Sequence, residues 1–373
     1  MNVTSKEKLL KIFTPTISKD SERKIGVEIE RLGFINGKPI TFPQMEIFLN
    51  ELHKEYQWPK ILGENNHTIG VKTPMGKLSL EPGSQLEFSA NAQSSVEDFK
   101  TVYQKLNQLI EPFKQKHSIE WLDVALNPYN SVEDIRIIPN KRYEIMTEYF
   151  KNRGSLSTTM MRLTSSIQIN FDYLSFEEAI GMLKVGILLT PISYSLFANS
   201  RHFKNKDTGY RSYRAEVWRK TDPDRSGLIP ELFAKENFSI EDYIEIVRTR
   251  PLMYAQDKKG NNVAANGLSL KDIEEGKLHN CIVDENNLVN AYRELFFEAR
   301  LKPGYIEIRS IDYVPEPRLY EALAFWLAAI YSKENRQKVL NYFKGSSYQD
   351  IYNLWIEASK NGLPVSLLNN LSF

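Results

Sequence analysis

One cysteine is too few for a disulfide. Cys281 stands alone in 373 residues, so a disulfide-stapled scaffold is excluded and an oxidising compartment gains no support. Neither sign of charge dominates: Lys+Arg of 48 against Asp+Glu of 47 leaves +1, without the basic excess or stripe of a nucleic-acid binder. The five histidines, His53, His67, His117, His202 and His279, are scattered and keep no metal-ligand spacing. The N-terminus, MNVTSKEKLLKIF, mixes charge into its apolar residues and lacks a signal-peptide core. The longest apolar run, Ile180 to Ala198, is interrupted by Lys184, Pro191 and several hydroxyl residues, which argues for a buried core helix rather than a membrane span. Glycine-rich phosphate loops are missing too. GVKTPMGKL, from Gly70 to Leu78, has the wrong glycine spacing and no Ser/Thr after Lys77, and no G-x-G-x-x-G joins a strand to a helix. These absences predict a reduced, soluble, cytoplasmic protein with no nucleic-acid or membrane partner.

No Gly/Ser or Pro-rich linker divides the chain, and no internal repeat is present. At 42% hydrophobic and 25% charged, the composition is that of a globular protein with a sizeable core. The expectation is one domain over residues 1–373, with a helical segment at 1–20. Helical periodicity is clearest in Ser95–His117, Ser175–Ala198 and Glu316–Phe343.

Between these helices lie four segments that alternate apolar and polar residues. In KIGVEIER, Ile25, Val27 and Ile29 alternate with Gly26, Glu28 and Glu30. In LSLEPGSQLEFS, Leu86 and Phe88 alternate with Gln85, Glu87 and Ser89, while Glu81 precedes the Pro82-Gly83 turn. MMRLTSSIQINFDY alternates from Met161 to Asp172 and places Arg162 and Gln168 on its polar side. In YIEIRSID, Ile306 and Ile308 alternate with Glu307 and Arg309. Each pattern predicts a strand with one apolar and one polar face.

The ordinary account of such strands is a sheet with one face on the core and one in water. That account predicts a mixed outer face rich in Thr and Lys, whereas these polar faces are rich in Glu with a few Arg and no Lys. Were the strands neighbours, Glu28, Glu30, Glu81, Glu87 and Glu307 would share a surface. Two unit charges 4 Å apart repel by roughly 4 kcal/mol at an effective dielectric of 20. Cations or protons must then neutralise them. Oxygen ligands without His or Cys suit Mg²⁺ or Mn²⁺ rather than zinc, and magnesium usually accompanies a phosphate-bearing nucleotide. A glycosidase-like carboxylate pair is the rival reading; it uses two glutamates and leaves the others and the arginines unexplained. A second cluster, YRSYRAEVWRKTDPDRSGLIP, gathers Arg211, Arg214, Arg219 and Arg225 around Trp218. It is either a solvated basic loop or a recognition site for a substrate carboxylate, to which the guanidinium fork is suited.

With these residues in view, the sequence resembles the glutamate–cysteine ligases of the plant and proteobacterial type. IGVEIERLGF, SLEPGSQLEFS, NKRYEIM, MMRLTSSIQINFDY, SLFANS, YRSYRAEVW with TDPDRSG, and RLKPGYIEIRSIDY occur in the family's order over about residues 24 to 330. The resemblance implies an α+β, glutamine-synthetase-like fold: a curved antiparallel sheet whose concave face holds magnesium and ATP, with helices outside. By the same resemblance Glu28, Glu30, Glu81, Glu87, Gln168 and Glu307 match metal ligands, and Arg309 the arginine at the transferring phosphate. Arg214 and Trp218 match the glutamate pocket, with Arg162 a further substrate contact and Arg300 a further ATP contact. The implied reaction is ATP-dependent joining of glutamate to cysteine. Ile29 replaces the family's usual histidine and RLKPGYIEIRS carries an extra Pro-Gly, so the acceptor amine stays open. A ligase using another amine is the nearer alternative, and a non-catalytic nucleotide-binding homologue the more distant one.

Overall fold

A computed structural model describes residues 3–364. The alternating segments form the middle of one ten-stranded antiparallel sheet. Its strands are β1 (Ile25–Ile35), β2 (Lys38–Pro39), β3 (Lys60–Leu62), β4 (Thr68–Thr73), β5 (Gly76–Leu80), β6 (Leu86–Ala90), β7 (Ile119–Leu122), β8 (Ile167–Asp172), β9 (Ala299–Lys302) and β10 (Tyr305–Ile308). They are ordered β9-β10-β8-β1-β6-β5-β4-β3, with β2 and β7 paired to the far end of β1. The expected α+β class, with helices packed outside an antiparallel sheet, is the observed one.

Register decides what the sheet displays. Glu28 lies opposite both Ser89 and Gln168, and Glu30 opposite Glu87. Glu307 lies opposite Asn170 on one side and Arg300 on the other. Directly opposed residues share a face, so one polar surface collects charge from β1, β6, β8, β9 and β10.

The other face is apolar and covered. Val27, Ile29, Ile167, Ile169, Ile306 and Ile308 are buried there, each contributing roughly 1.5–3 kcal/mol relative to exposure. Helices α1 (Ser5–Ile12), α2 (Phe42–Tyr56), α3 (Val96–Lys116), α4 (Lys141–Phe150), α5 (Ser157–Leu163), α6 (Phe176–Leu188), α7 (Thr190–Phe197) and α8 (Tyr213–Arg219) follow in chain order. Helix α6 packs on β9 and β10 at one end of the sheet, the helix Arg318–Tyr331 on β8, and α3 on β6. Gly186 lets α6 approach closely: a Cβ there would meet the Ala299 Cβ at 2.7 Å. Ser95 and Ser175, where two helical patterns begin, cap α3 and α6 by accepting from the backbone N–H of Asp98 (3.0 Å) and Glu178 (3.1 Å).

Three expectations need correction. The alternation beginning at Met161 is not strand throughout, because Ser157–Leu163 is helix α5 and the strand begins at Ile167. The Ile180–Ala198 run is two helices bent by 50°, not one. Pro191 opens α7 because its ring and missing N–H cannot continue the preceding helix. Of the 1–20 segment, only Ser5–Ile12 is α-helical, and residues 1 and 2 lie outside the described residues. No single helix among the described residues is long and apolar enough to cross a membrane.

Candidate active site

The polar face of the sheet floors a cleft of about 510 Å³. Glu28 and Glu30 of β1, Glu87 of β6, Gln168 of β8 and Glu307 of β10 form the floor. Glu81 enters from the turn between β5 and β6, and that turn lies tight on α5: a Cβ on Gly83 would stand 2.4 Å from the Arg162 carbonyl oxygen. Arg142, Tyr143 and Met146 of α4, Met160 and Met161 of α5, and Trp218 of α8 build the walls.

One half of the cleft is acidic. Asn170 Nδ2 donates to Glu28 Oε1 (3.0 Å), while Gln168 Nε2 (3.0 Å) and Ser166 Oγ (2.9 Å) donate to Glu30. Ser89 and Ser79 donate to Glu87 at 2.8 and 3.2 Å, and Lys77 Nζ stands 3.6 Å from it. Neutral donors satisfy these oxygens without neutralising their charge. Burial, then neighbouring carboxylates, pushes Glu28, Glu30, Glu81 and Glu87 up to about 7. For Glu28, Glu30 and Glu87 alike, hydrogen bonds pull the other way and lose.

The other half is basic, and Glu307 is its hub. Arg300 Nε donates to the Glu307 carboxylate, Arg309 Nη1 does so at 3.2 Å, and Lys302 Nζ lies 3.8 Å away. Burial opposes ionisation, yet Arg300, Lys302 and Arg309 together hold this carboxyl well below the usual range. Burial, with Arg300 beside it, pushes the Lys302 amine down to about 7. Gln168 joins the halves, its Oε1 accepting from Arg309 Nη1 at 2.5 Å while its Nε2 faces Glu30. The Arg309 guanidinium stacks 5.1 Å from the Trp218 ring. Arg142 and Arg309 each keep a buried Nε–H with no partner among the described residues. Leaving such a donor unmet costs about 1–3 kcal/mol, which an anionic ligand would offset.

The donor chemistry fits a hard divalent cation. Four incompletely neutralised carboxylates stand together, Glu87 buried and Glu28, Glu30 and Glu81 half-buried, and among the described residues no His or Cys lines the cleft. Among the described residues, no three His, Cys, Asp or Glu side chains are yet gathered as a metal cage.

A family model described as Glutamate-cysteine ligase family 2 matches residues 26–363. The chain belongs to that family. It is 32% identical over 343 residues to glutamate–cysteine ligase B, chloroplastic, of Oryza sativa subsp. japonica, covering 90% of this chain and 68% of the relative. With glutamate–cysteine ligase, chloroplastic, of Medicago truncatula it shares 33% over 325 residues, covering 85% and 63%. The solved glutamate–cysteine ligase of Francisella tularensis, in complex with AMP, has the same fold at a TM-score of 0.53 and 14% identity. It covers 93% of this chain and 73% of that one. The plant relatives are chloroplastic proteins, which overturns the cytoplasmic location expected from the sequence.

Within this family member, several expected site residues stand elsewhere or in other company. Glu307, expected to ligate metal, is held by Arg300 and Arg309, with Lys302 Nζ at 3.8 Å. Gln168, expected to do the same, has both ends of its amide engaged by protein. Arg214 is 1% exposed and does not line the cleft. Its guanidinium donates to Tyr194 Oη (3.3 Å) and the Arg309 carbonyl (3.2 Å) and lies 3.7 Å from Asp312. Arg162 points elsewhere too, donating to the carbonyls of Val132 and Ile135 at 3.3 and 3.1 Å. Trp218, Arg300 and Arg309 do line the cleft.

The sequence reading missed Lys77, Arg142, Tyr143 and Lys302, all of which line it. Lys302 carried a signal: Arg300 and Lys302 alternate ahead of Pro303-Gly304 as Glu307 does after it, which is the pattern of one hairpin face.

Proposed function

We propose that the chain is an ATP-dependent ligase joining the γ-carboxylate of glutamate to the amine of cysteine. The products are γ-glutamylcysteine, ADP and phosphate. The observation that carries this reading is the division of one cleft floor into an acidic half and a basic half, bridged by Gln168. The reaction needs both: a polyphosphate must be held with its counter-ions, and a phosphoryl group must be passed to a carboxylate. Membership of the glutamate–cysteine ligases supports the choice of substrates.

A carboxylate is a poor electrophile, so one glutamate γ-oxygen first takes the terminal phosphoryl group of ATP. The neutral amine then attacks the γ-glutamyl phosphate, the C–O bond to phosphate breaks, the nitrogen gives up a proton to the departing phosphate or solvent, and the amide forms. Arg309 is assigned to the transferring group, because its Nε–H is unpaired and Gln168 and Glu307 fix its other edge. Arg300 and Lys302 add positive charge on the same side, Lys302 with its amine poised near neutrality. Glu28, Glu30, Glu81 and Glu87 are the residues that would hold Mg²⁺ or Mn²⁺. Such an ion neutralises phosphate charge and orients the chain of phosphates when bound. Trp218 packs against Arg309 and closes that end of the cleft. The strands that build the floor run from residue 25 to residue 308, and we treat the chain as one catalytic unit.

The test supplies Mg-ATP and glutamate with a panel of amines, measures nucleotide release and identifies products by mass. Cysteine should give ADP, phosphate and a γ-glutamyl dipeptide. AMP as product, or turnover that survives chelation of the metal, refutes the acyl-phosphate reading. Turnover with another amine but not cysteine keeps the chemistry and replaces the acceptor.

A further inference from the structure

A second cavity, of about 560 Å³, opens between residues 124–129, residues 198–205 and Arg211. It shares no lining residue with the active-site cleft. Its volume is that of a small-molecule site. Arg201, His202 and Arg211 contribute to its lining, and among the described residues no Asp or Glu does. Arg201 is answered by Asp207, to which its Nε and Nη2 donate at 2.8 and 2.6 Å. Arg211 has no acidic partner among the described residues and is exposed. Beside the two arginines stand Leu126, Pro128 and Tyr129, the tyrosine 54% exposed despite its size. The combination calls for an anion attached to a flat apolar body.

The wall of this cavity is tied to the active site by a single buried carboxylate. Asn199 N–H (2.8 Å) and Ser200 Oγ (2.7 Å) both donate to Asp312 Oδ2, and Ser212 Oγ, next to Arg211, donates to Oδ1 at 2.9 Å. Asp312 is fully buried and faces Arg214 at 3.7 Å. Arg214 in turn holds the Arg309 carbonyl at 3.2 Å. A shift in either segment of the cavity wall therefore reaches the backbone of Arg309 through Asp312 and Arg214.

We propose that the second cavity is a regulatory site for a small organic anion, a carboxylate or phosphate on an apolar ring, whose binding alters turnover through Asp312 and Arg214. The binding step stands on the cavity alone, whereas the effect on turnover rests on the role assigned to Arg309. The test titrates phenyl phosphate and, separately, phenylacetate into the protein by calorimetry; the two arms distinguish the head groups. At least one should bind saturably. Arg211→Ala should weaken that binding tenfold or more, while Arg309→Ala leaves it intact. In the γ-glutamyl transfer assay the bound compound should change kcat at least twofold. Ser212→Ala, which removes one bond to Asp312 from outside the cavity lining, should keep binding and lose that change. No saturable binding of either compound overturns the site. Binding abolished by Arg309→Ala and untouched by Arg211→Ala places the ligand in the cleft and overturns it equally. Binding at Arg211 without any change in kcat, or a change that persists in Ser212→Ala, overturns the coupling. Because calorimetry needs no turnover, failure of the ligase reading and failure of this site give different results.

Discussion

Replacing Glu307 by Gln separates two roles that a carboxylate in this cleft can have. Glu307 is 2% exposed and is held by Arg300, Lys302 and Arg309. The amide keeps the shape but removes the negative charge that the buried Arg300 and Arg309 share, and breaking such a set costs about 3–5 kcal/mol. Unfolding entropy is about 2.1 cal/mol/K per residue. For 373 residues that is roughly 0.8 kcal/mol/K, so Tm should fall by about 4–6 °C. Thermal unfolding at pH 7 in the presence of chelator reads this directly. The acid side should change as well. A carboxyl held below its unfolded value stabilises above that value, and its contribution is lost as pH falls. Glu307→Gln should therefore differ most from the parent at neutral pH and least in acid. Arg309 also loses an anchor, so kcat should drop by roughly a hundredfold. The exposed Glu316→Gln is the control and should do little to either quantity. An unchanged Tm, with a raised KM for ATP that excess Mg²⁺ rescues, would make Glu307 a metal ligand and refute the ion-pair hub.

Three further outcomes are expected. Arg214→Lys should lower kcat and Tm and leave the glutamate KM within about twofold, because its fork holds the Arg309 carbonyl rather than the cleft; steady-state kinetics showing the reverse split would return Arg214 to substrate binding. Metal-free protein should lose stability as pH rises from about 5 to 8, since Glu28, Glu30, Glu81 and Glu87 are pushed up to about 7 and the fold favours their neutral forms. Added Mg²⁺ should restore more stability at pH 8 than at pH 5, and denaturant titrations at both values check this. Cys281→Ser should keep most activity with or without reductant, because the thiol is buried and burial raises its pKa; a large reductant response lost in the variant would contradict it.

Much of the sheet was legible because its chemistry is written at the two-residue period. Glu28 and Glu30, Glu87, and Glu307 alternate with residues that the fold buries, and register then brings them to one face. The stretch from Met161 to Ser166 misled because three or four alternating residues suit a strand or a short amphipathic turn equally. Tertiary packing decides there, through the Pro82-Gly83 turn pressed onto α5. Arg214 was illegible for another reason. What removes it from the cleft is Asp312, 98 positions later, and Tyr194, 20 earlier, and local sequence carries no record of such partners. Lys302 was overlooked because it belongs to the strand before the Pro303-Gly304 turn, while attention rested on the strand after it.

Gln168 sits where the two territories of the cleft meet, and the sheet makes that boundary a ruler. From β1 across β8 to β10 the step between neighbouring strands is about 4.8 Å, and β8 is the only strand between the carboxylates of β1 and Glu307. The gap between acidic and basic territory is thus quantised at about two strand spacings. Loop lengths, termini and surface helices can change freely without altering it. Only the insertion or loss of a strand would rescale it, so variation in this fold can readily retune which molecules are admitted while the distance over which charge is handed across remains fixed.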